Sequence, residues 1–153
     1  MKIVVDSNIV FSAILNTKSK IGQLILNGSK YFQFYSVALL KAEIINHKQK
    51  IISISNFNEN QFHEIFQLIV YKITFINDVL ISDKDLKQAM QLVGNIDADD
   101  VLFVALSNHL QSPMWMGDKQ LIKGLKKKGF MRTISTEELY EIYIEKEMKN
   151  KHL

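Results

Sequence analysis

The feature that most restricts the fold of this chain is the alternation of short apolar runs with longer segments of helical spacing. Five runs of four or five residues have the composition of strands, and they lie at residues 2–5, 32–35, 73–76, 113–116 and 130–134. Between them, apolar residues recur every three or four positions, which indicates amphipathic helices. Strands that are joined through helices pair in parallel. The sequence therefore predicts a three-layer α/β/α sandwich with a central, mainly parallel five-stranded sheet.

Composition narrows the function classes. The chain has 153 residues, 47% of them apolar, and we expect residues 1–153 to form a single domain. It has no cysteine, which excludes a disulfide scaffold, a thiol nucleophile and a cysteine-ligated zinc site. Neither a membrane-length apolar run nor a signal peptide is evident, so we expect a cytoplasmic protein without membrane association. The sequence also lacks the P-loop and dinucleotide-binding motifs, which argues against a nucleotide-binding enzyme.

Polar residues at the predicted helix starts give local expectations. We expect Ser36 to cap a long helix after the second strand, and Asn60 to cap the next helix. Ser135 and Glu138 have the spacing of a capping box at the start of the final helix. Trp115 falls in a predicted buried strand and is expected in the core.

Acidic residues cluster near the predicted carboxyl ends of the strands. Six of them are candidates for a shared site: Asp6, Glu43, Asp97, Asp99, Asp100 and Asp118. Asp6 directly follows the first strand, and Asp118 follows the fourth after one glycine. Because the carboxyl ends of parallel strands form one edge, where ligands bind in α/β folds, we expect these acids to converge on one pocket.

Such a pocket indicates a metal ion. Several carboxylates cannot share a small site in ionised form unless a cation offsets their charge. Oxygen ligands without cysteine or a histidine pair favour Mg²⁺ or Mn²⁺ over zinc. A pair of such ions can activate water for phosphoryl displacement, and the sequence leaves open whether one or two ions bind.

Each acid also has a purely structural interpretation. Asp6 and Asp118 are suited to cap the helices that follow them. Acids near residue 100 suit a helix N-terminus through its dipole, and Glu43 suits a solvated helix position facing His47. The occurrence of aspartate after two strands of one α/β chain favours the shared site.

A run of cations begins one residue after Asp118. Of the 19 basic residues 18 are lysine, and residues 119–132 include five of them with the single arginine, Arg132, and no acid. On a helix, four of these lysines share a broad face, here called the lysine stripe: Lys119, Lys123, Lys126 and Lys127. A cationic face beside an acidic pocket suits RNA. The alternative is a solvated lysine face.

Four ordered blocks of the sequence form a pattern: IVVDSN at 3–8, Ser36 with the helix that contains Glu43, IDADD at 96–100 leading into FVAL, and PMWMGDK at 113–119. Together they resemble the PIN-domain ribonucleases, including the VapC-like toxins of toxin–antitoxin pairs. Residues 133–139 resemble the usual tail of the family, so the likeness covers essentially the whole chain.

The resemblance implies roles for particular residues. The catalytic and metal-binding acids would be Asp6, Glu43, Asp100 and Asp118, with Asn8, Ser36 and Asp97 in support. Asp100 is the choice for the third acid because Ala105 then falls where the family has a small helix residue. Asp97 lies one turn earlier on the same face, whereas Asp99 points about 100° away from Asp100 on an ideal helix. Asp97, Asp99 and Asp100 all stay open for this position.

The resemblance further implies Mg²⁺- or Mn²⁺-dependent hydrolysis of RNA by a homodimer that a small antitoxin protein holds inactive. One rival is a PIN-like domain that binds nucleic acid without cutting it. Another is a phosphatase or receiver-like protein, but the DSN sequence at residues 6–8 lacks the second aspartate of the usual phosphatase motif.

Overall fold

The computed structural model describes residues 1–93 and 100–151. Its strands are β1 (Lys2–Val5), β2 (Gln33–Val37), β3 (Ile73–Ile76), β4 (Met114–Trp115) and β5 (Thr133–Ile134). They form one sheet in the order β3-β2-β1-β4-β5, and every neighbouring pair is parallel. The predicted five-stranded parallel sheet is therefore confirmed.

Helices separate the strands along the chain. They are α1 (Ser7–Leu15), α2 (Lys20–Gly28), α3 (Leu39–Asn46), α4 (Lys48–Ser55), α5 (Glu59–Tyr71), α6 (Asp83–Val93), α7 (Asp100–Leu110), α8 (Lys119–Lys127) and α9 (Thr136–Lys151). A short 3₁₀ turn at Asp78–Leu80 precedes α6. The predicted α/β/α sandwich is confirmed. Across residues 1–93 and 100–151, none of the helices is both long enough and apolar enough to cross a membrane.

The core is centred on β1 and its neighbours. Ile3, Val4 and Val5 are fully buried, as a central parallel strand with both faces covered requires. Trp115 on β4 is also fully buried, and its indole Nε1 donates a hydrogen bond to Thr136 Oγ1 at 3.0 Å. The expectation that Trp115 belongs to the core is confirmed.

The strand order determines where a site can form. β1 pairs with β2 on one side and with β4 on the other, in register Val4 with Met114 and Val5 with Trp115. From β1 the chain continues to β2 and β3 on one side, and β4 and β5 are then added on the other side. This reversal of the strand order opens a crevice at the carboxyl ends of β1 and β4. Asp6 and Asp118 follow these two ends.

The prediction that Ser36 caps a helix is wrong. Ser36 lies inside β2, where it pairs with Phe75, and the strand continues to Val37. The next helix begins after Ala38 without a side-chain cap and ends at Asn46, and a separate helix, α4, begins after His47. Pairing with β3 extends the strand past the residue that local propensity would place at a helix start.

The cap of α5 is also two residues earlier than expected. Asn58, not Asn60, has extended backbone and accepts from the Gln61 backbone N–H at 2.8 Å, while the Gln61 side chain accepts from Asn58 N at 2.9 Å. The predicted capping box of the last helix is confirmed, since Ser135 and Glu138 make the same reciprocal pair at 3.2 and 3.1 Å.

Candidate active site

Asp6 is the buried centre of the candidate site. The apolar strand β1 ends at Val5 and delivers Asp6 to the carboxyl edge of the sheet, where its side chain is only 4% exposed. Its carboxylate Oδ1 accepts a hydrogen bond from the Ile9 backbone N–H at 2.9 Å and so caps α1. The carboxylate is therefore held in one orientation and largely removed from water.

The surroundings raise the pKa of Asp6 from 3.8 to about 7. Burial is the largest cause, because it disfavours the charged form. The backbone N–H groups of Ile9 and Asn8 lower the pKa in part, while the negative charges of Asp100 and Asp118 raise it further. The fold thus brings three of the predicted acids into one electrostatic environment.

Asp118 and Asp100 enter this environment from two helix starts. Asp118 is exposed and caps α8, where its Oδ1 accepts from the backbone N–H groups of Gln120 at 3.0 Å and Leu121 at 3.2 Å. Asp100 is the half-buried first residue of α7, which packs against the central strands. Both strand-end aspartates act as caps, as the structural interpretation proposed. A carboxylate that caps a helix can still bind another partner, because its two oxygens offer about four acceptor positions.

The remaining predicted residues occupy less central positions. Glu43 is half-buried on α3, and its backbone oxygen lies 2.8 Å from His47 Nδ1. The His47 ring contacts Phe11 edge-on at 5.7 Å between centroids, which places the end of α3 against α1. Asn8 is exposed on the first turn of α1.

Two further acids, Asp97 and Asp99, lie outside the described residues. The choice among Asp97, Asp99 and Asp100 therefore rests on the sequence argument, with the electrostatic effect of Asp100 on Asp6 as an observation in favour of Asp100.

The donor atoms suit a hard divalent cation in type. Asp6, Asp100 and Asp118 offer carboxylate oxygens, and a buried carboxylate with negative neighbours is stabilised in its ionised form by a bound cation. Within the described ranges 1–93 and 100–151, no three acidic or histidine side chains lie close enough together to hold one ion. These side chains thus supply suitable oxygens without forming a complete coordination shell by themselves.

Ser36 supports the site through the backbone. Its fully buried hydroxyl donates to the Val5 carbonyl oxygen at 2.8 Å, which ties the end of β2 to the end of β1 directly before Asp6. The bond is to the main chain and not to a carboxylate. The sequence analysis selected Ser36, but it could not identify Val5 as the partner. That contact depends on the pairing of β2 with β1, and no nearby residue in the sequence indicates it.

Replacing Ser36 with Ala is expected to destabilise the protein by about 1–3 kcal/mol, because a buried carbonyl loses its donor. We further expect weaker binding of Mn²⁺, measured by calorimetry, since the backbone before Asp6 loses a restraint. Ser107→Ala is the matched control: its buried hydroxyl donates to Ser112 O at 2.5 Å in the turn between α7 and β4. Equal Mn²⁺ affinity in the two variants would contradict a positioning role for Ser36.

The lysine stripe borders the site on one side. All four of its lysines are exposed on α8, while Leu125 on the opposite side of the helix is buried. A cavity of about 330 Å³ adjoins Asp118, lined by Gly117 and Lys119 together with the starts of α2 and α9. Ser19 and Lys20 of α2 also line it; they are distant in sequence, and no motif singles them out.

Sequence comparison identifies the family. The PIN domain family model matches residues 4–143, a range that includes strands β2 to β5, the second half of β1, and Asp6, Asp100 and Asp118. The chain belongs to the PIN domain family. PIN domains are generally nucleases, and the resemblance found in the sequence blocks is confirmed. None of the curated proteins matches this PIN domain significantly.

Solved structures share the fold. A chain in the crystal structure of VapBC2 from Rickettsia felis, bound to a DNA fragment from their promoter, superposes with a TM-score of 0.63 at 12% identity. The match covers 88% of this PIN domain and 98% of that chain. A PilT N-terminus domain protein from Sulfolobus solfataricus P2 superposes with a TM-score of 0.51 at 16% identity, covering 95% of each chain. At these identities the likeness concerns the fold.

Proposed function

We propose that this PIN domain is a Mg²⁺- or Mn²⁺-dependent endoribonuclease that hydrolyses phosphodiester bonds of RNA. The observation that supports it most is Asp6, a buried carboxylate at the carboxyl end of the central strand with Asp100 and Asp118 acting on its charge. The charge of a carboxylate in this environment destabilises the folded protein by itself, and a bound cation offsets that charge.

Each residue has a distinct part in this proposal. Asp6 and Asp118 hold the cation directly, and their hydrogen bonds to helix N-termini fix the orientation of both side chains. Glu43 and Asp100 complete the set of oxygens or orient the attacking water. When bound, Mg²⁺ or Mn²⁺ supplies positive charge that stabilises phosphate oxygens and lowers the pKa of water.

The lysine stripe supports RNA as the substrate. It begins at the residue after Asp118, so phosphates on one side of the scissile bond can lie along α8. The cavity beside Asp118, lined in part by Lys119, gives further room for the RNA next to the carboxylates. Both features suit a substrate that extends beyond a single phosphodiester.

We also propose that the protein is the toxin of a type II toxin–antitoxin system, a homodimer with a small antitoxin protein as its partner. The shared fold with a chain of VapBC2 supports this assignment. Co-expression with the product of a neighbouring small reading frame, followed by gel filtration, tests it. Failure of any such product to co-purify or to inhibit cleavage would contradict it.

The nuclease activity itself is tested by incubating the purified protein with a mixed RNA pool, with Mn²⁺ and with EDTA. We expect internal cleavage only with the metal ion. Mass spectrometry of the same sample verifies that no inhibitory partner is bound. RNA binding without cleavage in partner-free protein would favour the alternative, a PIN-like binding domain.

Replacing Lys123, Lys126 and Lys127 with Gln is expected to weaken RNA binding and to flatten its salt dependence. Loss of three phosphate contacts on a single strand reduces the slope of log K against log salt by about 2. Filter binding between 50 and 200 mM salt would measure it.

The control changes the same number of charges on α9, with Lys146, Lys149 and Lys151 replaced by Gln. This triple variant is expected to keep the wild-type slope. If the two triple variants have the same salt dependence, the lysine stripe does not bind RNA.

A further inference from the structure

A second cavity lies away from the three aspartates. It has a volume of about 760 Å³, is open to solvent, and is lined by residues of α6, α7 and the segment that joins α8 to β5. Neither Asp6, Asp100 nor Asp118 lines it, whereas the cations Lys128 and Arg132 do. These two residues end the basic run that the sequence analysis singled out, and the lysine stripe does not include them.

Uncharged groups hold both cations in place. The Lys128 ammonium Nζ donates to the backbone oxygen of Leu92 at 2.8 Å. The Arg132 guanidinium donates to Asn108 Oδ1 at 3.3 Å and to Gln111 Oε1. Neutral acceptors fix these groups without cancelling their charge, and the described residues that line the cavity include no carboxylate. The cavity thus presents two oriented positive charges.

The local backbone brings the two cations to one side of the cavity. Gly129 between them has φ of +92°, a conformation that other residues adopt only with strain, and it turns the chain sharply after α8. Arg132 is the single arginine of the chain, and its planar fork has further N–H donors for a phosphate. The exposed amides of Gln88 and Gln91 on α6 add donors and acceptors of the kind that base edges recognise.

The lysine stripe connects this cavity to the catalytic carboxylates. α8 begins directly after Asp118 and ends at Lys127, next to Lys128. Its nine residues span about 13.5 Å at 1.5 Å per residue. That length corresponds to about four stacked nucleotides at roughly 3.4 Å each. A positively charged surface therefore runs from the candidate active site along one helix and into the cavity.

We propose that the cavity is an anchoring subsite for single-stranded RNA, about four nucleotides from the scissile bond. Lys128 and Arg132 bind a backbone phosphate there, and the amides of Gln88 and Gln91 contact an exposed base. The proposal rests on the proposed function, and it adds a length requirement: an RNA too short to span α8 cannot occupy the active site and the subsite at the same time.

The test introduces a negative charge into the cavity without changing side-chain shape. Gln91→Glu does this at an exposed position of α6, and Gln67→Glu makes the same change at an exposed position of α5 as the control. Binding of fluorescein-labelled mixed-sequence RNAs of 12 and 2 nucleotides is measured by anisotropy in EDTA, so that neither RNA is cut. Melting temperatures of both variants verify that they remain folded.

We expect the wild-type protein to bind the 12-nucleotide RNA at least tenfold more tightly than the 2-nucleotide RNA. Gln91→Glu is expected to weaken binding of the longer RNA about tenfold through like-charge repulsion. Gln67→Glu is expected to bind both RNAs with wild-type affinity.

The outcomes separate this inference from the proposed function. If Gln91→Glu binds the longer RNA as Gln67→Glu does, the subsite is overturned, while Mn²⁺-dependent cleavage by the wild type still decides the nuclease proposal. If Gln91→Glu selectively weakens binding of the longer RNA and the wild type does not cleave, the subsite stands and the nuclease proposal fails. No measurable binding of the longer RNA by the wild type overturns the subsite.

Discussion

Asp118→Asn is expected to lower Mn²⁺-dependent cleavage of RNA by at least about 100-fold. Loss of a group that only hydrogen-bonds to a metal ligand lowers activity by about 10- to 100-fold, and loss of a direct ligand should exceed that. The asparagine Oδ1 can still accept from the backbone N–H groups of Gln120 and Leu121, so the cap of α8 is kept. What is lost is the negative charge and one strong oxygen ligand. Asp6→Asn is expected to have an equal or larger effect, because Asp6 is buried at the centre of the acidic cluster.

The measurement is the initial rate of cleavage of a mixed RNA pool at saturating Mn²⁺. Asp83→Asn is the matched control, because Asp83 is an exposed aspartate in the first turn of α6 and loses the same charge at a helix start. It is expected to cut at the wild-type rate. Wild-type activity in both Asp6→Asn and Asp118→Asn would place the catalytic site elsewhere.

Asp6→Asn is also expected to stabilise the metal-free protein at pH 8. The folded state holds a proton on Asp6 more tightly than the unfolded chain does, since folding raises this pKa from 3.8 to about 7. The free energy of unfolding of the wild type therefore falls as the pH rises between these values, and stays at its lower level above about 7. At about 1.4 kcal/mol per pKa unit the full difference is on the order of 4 kcal/mol.

Thermal melts in EDTA at pH 5 and pH 8 would measure this effect. At pH 8 the variant is expected to melt several degrees above the wild type, at about 2–4 °C per kcal/mol for a chain of this size. The two proteins should be closer in stability at pH 5, where Asp6 is mostly protonated. A variant less stable than the wild type at pH 8 would show that the charged carboxylate is favourable without metal.

Addition of Mn²⁺ at pH 8 extends the same experiment. An ion that binds only the folded state stabilises it by about 2.7 kcal/mol at 100 times its Kd. The melting temperature of the wild type is expected to rise, whereas that of Asp6→Asn is expected to change little. An equal rise in both proteins would mean that the ion binds away from Asp6.

The loss of cleavage in Asp6→Asn and its higher stability without metal have one physical origin. A neutral asparagine would satisfy the cap of α1 without the desolvation that Asp6 undergoes. We therefore expect position 6 to hold a charged group where a neutral one would be more stable, and groups of this kind are candidates for a functional site.

Local sequence patterns predicted much of the architecture. β1 has the bounds that its apolar run indicated, and the parallel sheet follows from helices between every pair of strands. Ser135 and Glu138 form their capping box because both partners lie within one turn of chain. The cap of α5 was predicted at Asn60 and lies at Asn58, because short-range composition does not distinguish two asparagines two residues apart.

The sequence by itself determined the layered parallel fold, the position of Asp6 and Asp118 after strand ends, and the positive face of α8. These features depend on residues that are neighbours along the chain. Only the tertiary structure decided the rest. Burial of Asp6 requires the sheet to be assembled around it, and the bond from Ser36 to Val5 requires β2 to pair with β1. The same holds for the cavity at Arg132: α6, α7 and the loop before β5 are separate in sequence, and packing alone brings their polar groups together.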